Sequence, residues 1–377
     1  MQEHLRGREI NGELNFNRTP MERPLAIQGE FMPIDRRGFV AGSAAAAMMG
    51  LRPASAQNDY IAELYAKARQ EGELTWYIAY WPGDRCEKHG ALFTQAFPGV
   101  KVNVVRSTAQ IAYQRLSQDI QANAANCDVF ATTDMGQYVA LKDRGLLMPY
   151  KMRSMDAIDA RFQGVDPDDA YQIVNATTVD LAYNTNKVKP EQAPKSWKDF
   201  IDPRWKGQSV VGHPGFSGFV GTWVVQMNKL YGWDYFEQLA ALKPHVGRSI
   251  IDTVTVMVAG ERSVGASPTA LVLRNASHGN PIAVSYPEEG SVLMISGSAI
   301  MKNTKHPNAS QLFMEFCYSR ENAAEDIEEF GLPLRKDTVL PAGYKKLDDL
   351  KTIRPTIAEI IKGIPELTEK WRDTFGV

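Results

Sequence analysis

What this sequence has little of narrows its function first. Three cysteines, Cys86, Cys127 and Cys317, are scattered through 377 residues, and none belongs to a C-x-x-C pair. Such spacing gives neither a zinc site nor a dithiol redox motif. Cys317 falls in the apolar pattern Leu312, Phe313, Phe316, Cys317 and reads as core, while one bridge between two of the three thiols stays open. Positive charge is not in excess: 42 Lys and Arg stand against 44 Asp and Glu, a formal charge of −2. With no basic cluster to neutralise a phosphate backbone, nucleic acid is set aside as a partner. The sequence has no H-E-x-x-H zinc-hydrolase motif and no internal repeat, which disfavours a solenoid or an adhesive array. Its apolar run at residues 39–51 is Ala- and Gly-rich and shorter than the ~20 residues a bilayer span requires.

That run has another use. Arg36-Arg37 precede it, and Pro53-Ala54-Ser55-Ala56-Gln57 follow it. Paired arginines, a mildly apolar stretch and an A-x-A site read as a twin-arginine export signal cleaved after Ala56, which predicts a periplasmic protein. Residues 1–31 are polar, and Met32 is the more natural initiator. Without residues 1–56 the chain is still near neutral and still long enough for two lobes, each able to bury a core.

Along the remaining chain, strands alternate with helices. Residues 60–70 are helical in period, 74–80 form a strand, 85–97 a helix, 100–105 a strand, 109–123 a helix, 128–131 a strand and 135–143 a helix. This alternation predicts an α/β fold with a largely parallel sheet covered on both faces. Ligands of such sheets sit beyond the carboxyl ends of the strands. That rule selects Tyr80-Trp81, Ser107-Thr108 and Thr132-Thr133-Asp134. Residues 174–183 read as a strand, 190–206 as turn-rich, 263–266 as a strand, and 281–286 as a strand able to return the chain to the first lobe. Residues 291–300 continue extended, and 309–330 and 353–375 are helical. Ser267 is expected at an N-cap with Pro268 at the first helical position.

Residues 208–232 organise the second lobe. A short β-rich run stops at Gly212, a loop through His213-Pro214-Gly215-Phe216-Ser217-Gly218 follows, and the apolar period then turns helical through Phe219, Val220, Trp223, Val224 and Met227. Ser217 stands at the N-cap, and Gly218 lets the backbone approach a ligand closely. The unpaired N–H groups and the positive end of the helix dipole make a ready anion site. The plainer alternative is that Ser217 only caps a core helix.

Several phrases in this order resemble a known family. They are Glu73-Leu74-Thr75-Trp76-Tyr77, Phe97-Pro98-Gly99-Val100-Lys101-Val102, Cys127-Asp128-Val129-Phe130, Ser196-Trp197-Lys198-Asp199-Phe200-Ile201-Asp202-Pro203, Tyr286-Pro287-Glu288-Glu289-Gly290 and Leu332-Pro333-Leu334-Arg335. The chain is similar to the periplasmic solute-binding proteins of ABC importers, in the group related to ferric-ion binders and to binders of phosphonates, sugar phosphates and thiamine. The resemblance implies a two-lobed type II periplasmic binding fold with two hinge strands and a ligand cleft between the lobes. It places residues 57–178 and 287–377 in lobe I and 179–286 in lobe II. It also turns Ser217-Gly218, Asp252-Thr253 and Thr269 toward the cleft from the second lobe. The implied partners are a small solute and a membrane permease, with no cofactor, no enzymatic activity of its own and a monomeric state.

One departure bears on the solute. Ferric-ion binders carry two adjacent tyrosines after the strand at 263–266, whereas this chain has Ser267-Pro268-Thr269-Ala270-Leu271. Hydroxyls and helix N-termini suit a phosphonate, phosphate ester or carboxylate instead. Gly215 lies in the loop before Ser217, Tyr80, Trp81 and Tyr286 could cover an apolar or cationic portion, and Asp134, Asp252 and Glu288 could recognise an amine. Two alternatives are kept: a ferric-ion-binding protein, and an exported serine hydrolase built on Ser217, His213 and Asp252. Against the hydrolase, Gly215-Phe216-Ser217-Gly218-Phe219 fails G-x-S-x-G at its last position.

Overall fold

The computed structural model describes residues 54–377. The export signal and the alternative start at Met32 therefore lie outside the described residues, apart from the end of the expected cleavage site. In chain order the elements are α1 (Ala54–Glu71), β1 (Glu73–Ile78), α2 (Gly83–Ala96), β2 (Lys101–Arg106), α3 (Ala109–Gln121), β3 (Val129–Thr132), α4 (Met135–Asp143), β4 (Leu147–Met148) and β5 (Gln172–Asn184). There follow β6 (Ser209–Gly212), α5 (Gly218–Tyr231), α6 (Asp234–Ala241), β7 (His245–Gly247), α7 (Ile250–Val258), β8 (Val264–Pro268), α8 (Thr269–Ser277) and β9 (Ile282–Ser285). The last are β10 (Ser291–Met301), α9 (Pro307–Cys317), α10 (Arg320–Glu328), β11 (Thr352–Ile353) and α11 (Ile357–Phe375).

One curled sheet runs through the described residues in the order β2-β1-β3-β10-β5-β8-β6-β7, with β4 and β11 beside β10 and β9 beside β5. It is parallel at both ends, where β1 pairs β2 and β3 and where β6 pairs β7 and β8. The middle is antiparallel, because β5 and β10 cross between the two ends in opposite directions, Val292 facing Val179 and Ser298 facing Gln172. The expectation of a largely parallel sheet therefore holds for the ends and fails at the centre. All 13 residues of β5 are buried, which is why the strand reads as a nearly unbroken run instead of an alternation.

Several boundaries differ from the pattern reading, each for a local reason. Ser319 caps Asn322 N–H at 3.1 Å and splits the expected 309–330 helix into α9 and α10. Strand β8 continues through Pro268, so Ser267 is a strand residue and Pro268 itself occupies the N-cap position of α8. The strand at 282–285 pairs with the end of β5 and stays on that side of the sheet; β10 makes the return. Helix α6, which buries Tyr235, Phe236 and Leu239, has no counterpart among the expected elements.

Helix α5 is buried at ten consecutive positions from Gly218 to Met227, since it lies between the sheet and other helices. On one side it meets α11, whose Ile360, Ile364, Leu367 and Trp371 recur at helical spacing along one buried face. A Cβ at Gly221 would stand 2.8 Å from Ile364, and one at Gly363 the same 2.8 Å from Val225, so paired glycines set the close approach. The C-terminal helix, expected with the first lobe, thus packs mainly on α5 and also touches α6 and α4.

Candidate functional site

The first turns of four helices converge on one small cavity. Pro82 and Arg85 come from the start of α2, Phe219 from α5, Ile251 from α7, and Ala270 and Leu271 from α8. Tyr80 and Trp81 close it on the β1 side, and Asn175 and Thr177 of the crossing strand β5 form its base. Each helix start presents backbone N–H groups with no partner one turn back, together with the positive end of a dipole. The dipoles favour an anion here, although the Val220 and Ile251 N–H groups are already taken by the Ser217 and Ser249 hydroxyls and the lining is largely apolar.

Two arginines add to it. Arg85, 5% exposed, places its guanidinium 3.9 Å over the Trp81 ring and gives Nη2 to Asp326 Oδ1 at 2.6 Å. Its Nε is buried without a hydrogen-bond partner among the described residues. Arg274 on α8 reaches across to Asp84 at the start of α2, and its Nε lies 3.0 Å from Glu329 Oε2. Trp81 Nε1 donates to Asn175 Oδ1 at 3.2 Å, fixing the indole against β5. The free volume is about 40 Å³, room for a few water molecules.

The expected site residues distribute over three places. Tyr80 and Trp81 line this first cavity. Thr132 is buried and gives its hydroxyl to Gln137 Oε1, while Thr133 Oγ1 accepts from Gly218 N–H at 3.0 Å, directly joining the β3 and β6 loops. Ser217 Oγ caps α5 through Val220 N–H at 3.4 Å. Asp134 caps α4 through Gly136 N–H and, with Gly215, lines a second concavity of about 670 Å³ bordered by His213 and α11. Burial raises the Asp134 carboxyl above its ordinary range, and burial lowers His213. Thr269 and Tyr286 line a third cavity of about 700 Å³, where burial pushes the Tyr286 phenol up to about 12.

The remaining candidates stand apart from these cavities. Asp252 forms a capping box with Ser249, and Thr253 gives its hydroxyl to Ile250 O at 2.6 Å beside Ser267. Ser107 and Thr108 lead into α3 without lining the first cavity, and Glu288 is exposed. As for the triad residues, Ser217 and Asp252 are engaged as caps and His213 Nδ1 accepts from Gly215 N–H at 2.9 Å, so each is bound locally. Pattern reading missed Arg85, Arg274, Asn175 and Thr177. A signal for Arg85 exists: a cation in the first turn of a helix opposes the dipole unless it has an acidic partner, so Arg85 just after Trp81-Pro82 implied one.

Residues 126–353 match the family profile described as bacterial extracellular solute-binding protein. An uncharacterized protein of Haemophilus influenzae is 25% identical over 248 residues, spanning 63% of this chain and 70% of that one. Among solved structures, the periplasmic binding protein AfuA from Actinobacillus pleuropneumoniae, with fructose-6-phosphate bound, is 23% identical with a TM-score of 0.73, covering 81% of this chain and 99% of that one. Iron-bound HitA from Pseudomonas aeruginosa is 20% identical with a TM-score of 0.68, covering 81% and 99%. The substrate-binding protein of an ABC transporter from Agrobacterium tumefaciens is 14% identical with a TM-score of 0.71, covering 80% and 94%. At such identities the structural likeness is one of fold.

Proposed function

The chain belongs to the bacterial extracellular solute-binding proteins and has the two-lobed type II periplasmic binding fold, and from that premise we propose that it captures a small organic anion for an ABC importer. The solute class is a phosphonate, phosphate ester or carboxylate. The observation that carries this reading is the convergence of four helix N-termini, with Arg85 and Arg274 beside them, on one cavity between the expected lobes. Carboxylates already pair with both arginines, so an entering anion exchanges partners with them instead of meeting bare charge.

The lobes are residues 57–178 with 287–377, and 179–286, with α11 lying across onto α5 of the second. Gly218 meets Thr133, and Arg274 meets Asp84 and Glu329, across the line where the proposed lobes part. Opening releases these contacts and admits the solute. Closing over the solute selects one of two states, and the ligand favours it by touching both lobes. Tyr80 and Trp81 cover the solute body, and the Thr133 hydroxyl becomes available when the loops separate. The protein is exported by the twin-arginine route, cleaved after Ala56, and acts in the periplasm as a monomer that hands its solute to a membrane permease. Its own contribution is binding and closure, without turnover.

A thermal-shift screen of residues 57–377 against phosphonates, phosphate esters, carboxylates, polyamines, thiamine and Fe(III) tests this. A selective shift with an organic anion, without consumption of it, is the expected result. A shift with Fe(III) alone, or turnover of an ester, overturns the reading.

A further inference from the structure

The third cavity has the size and lining of a small-molecule site in its own right. Its volume is about 700 Å³, within the range of drug-sized pockets. Leu273, Ile282, Phe330 and Leu332 give it an apolar wall, drawn from α8 and β9 on one side and from the segment after α10 on the other. Thr177, Thr178 and Thr269 supply its polar floor. It adjoins the first cavity, since Thr177 and Ala270 line both.

The floor has a defined polarity. Asp180, 1% exposed, lies behind it, and Thr269 Oγ1 donates to Asp180 Oδ2. Thr178 Oγ1 lies 2.8 Å from the same carboxylate oxygen and 2.9 Å from Thr269 Oγ1. Each hydroxyl has a single proton, and both protons are drawn inward by the carboxylate or by the neighbouring hydroxyl. What the two threonines offer the cavity is lone pairs, so the floor recognises a donor. The rim carries charge of both signs: Lys345 holds its ammonium 5.0 Å over the Tyr286 ring, and Glu328 is paired with Lys88 at 2.9 Å.

We propose that this cavity is a second ligand site, separate from the anion cavity, that takes a small amphipathic amine: its apolar body lies against Leu273, Ile282, Phe330 and Leu332, and its ammonium donates to the Thr178 and Thr269 oxygens.

The test is titration calorimetry of residues 57–377 with 2-phenylethylamine, and with phenylacetate as a control of similar body and opposite charge. The amine binds with one-to-one stoichiometry and at least about tenfold more tightly than phenylacetate, the difference one charge-assisted hydrogen bond supplies. Ala276→Trp, at an exposed position on the rim, abolishes amine binding while leaving the anion response of the first cavity in place. Thr178→Val weakens the amine roughly tenfold and Thr178→Ser restores it, both checked for an intact melting transition. Absence of amine binding, equal affinity for phenylacetate, or unchanged binding in Ala276→Trp overturns the proposal. None of these outcomes bears on whether the first cavity takes an anion.

Discussion

The backbone N–H of Gly218 donates to the Thr133 hydroxyl at 3.0 Å, and a Cβ at Gly218 would stand 2.3 Å from the Thr133 carbonyl oxygen. No side chain fits between these loops in this arrangement. Gly218→Ala therefore forces the β3 and β6 loops apart while leaving α5 capped by Ser217. The expected result is a protein that folds normally, shows a larger radius of gyration by small-angle scattering in the presence of solute, and binds that solute at least about tenfold more weakly, the factor that ~1.4 kcal/mol of lost closure energy produces. An alanine variant as compact and as tight as the wild type would refute the role given to this contact.

Arg274 holds two acidic partners, Asp84 on the exposed side and the 7%-exposed Glu329 on the buried side. Arg274→Ala leaves Glu329 with Lys88, 3.0 Å away, as its remaining cation. The expected loss of unfolding free energy is about 1–2 kcal/mol in denaturant titration, well short of that for a buried charge with no partner left. Arg274→Lys recovers the charge without the two-sided reach, and is expected to fall between the two.

Burial pushes the Asp326 carboxyl up to about 7, opposed by Arg85 at 2.6 Å. A raised folded-state value means the folded protein holds a proton that the unfolded chain gives up. The group's contribution is thus complete below its unfolded pKa near 4 and falls as pH rises toward 7. Asp326→Asn removes that dependence. Melting temperatures at pH 5 and pH 8 should accordingly show the variant gaining on the wild type as pH rises; parallel curves would contradict it.

All three cysteines are buried and unpaired, and burial raises each thiol, Cys86 to about 12. Since the thiolate is the reactive form, a thiol reagent such as DTNB at pH 8 is expected to label none of them in the folded protein and all three in guanidinium. Rapid labelling of the native state would show that one lies outside the core.

The sequence made the outer parts of the fold legible because they rest on local pattern. Tyr80 and Trp81 follow from a strand ending in Trp-Pro-Gly, and Ser217 from the change of period at Phe219. What escaped depends on distant partners. Arg85 and Asp326 are 241 positions apart, so the ion pair that lets a cation sit in a first helical turn is invisible locally. The antiparallel centre escaped for the same reason: β9 and β10 both read as extended segments, and only pairing with β5 shows which one returns. Asp252 and Thr253 carry the residue types of a binding loop but spend them on the capping box and on Ile250 O.

The most direct test of the central claim is a calorimetric comparison of each phosphate ester in the solute panel with its parent alcohol. Helix N-termini and arginines recognise charge, so the account predicts that one ester binds residues 57–377 stoichiometrically and at least about a hundredfold more tightly than its alcohol, a difference of ~2.7 kcal/mol. Equal binding of ester and alcohol, or tight binding of the alcohol alone, would contradict an anion site.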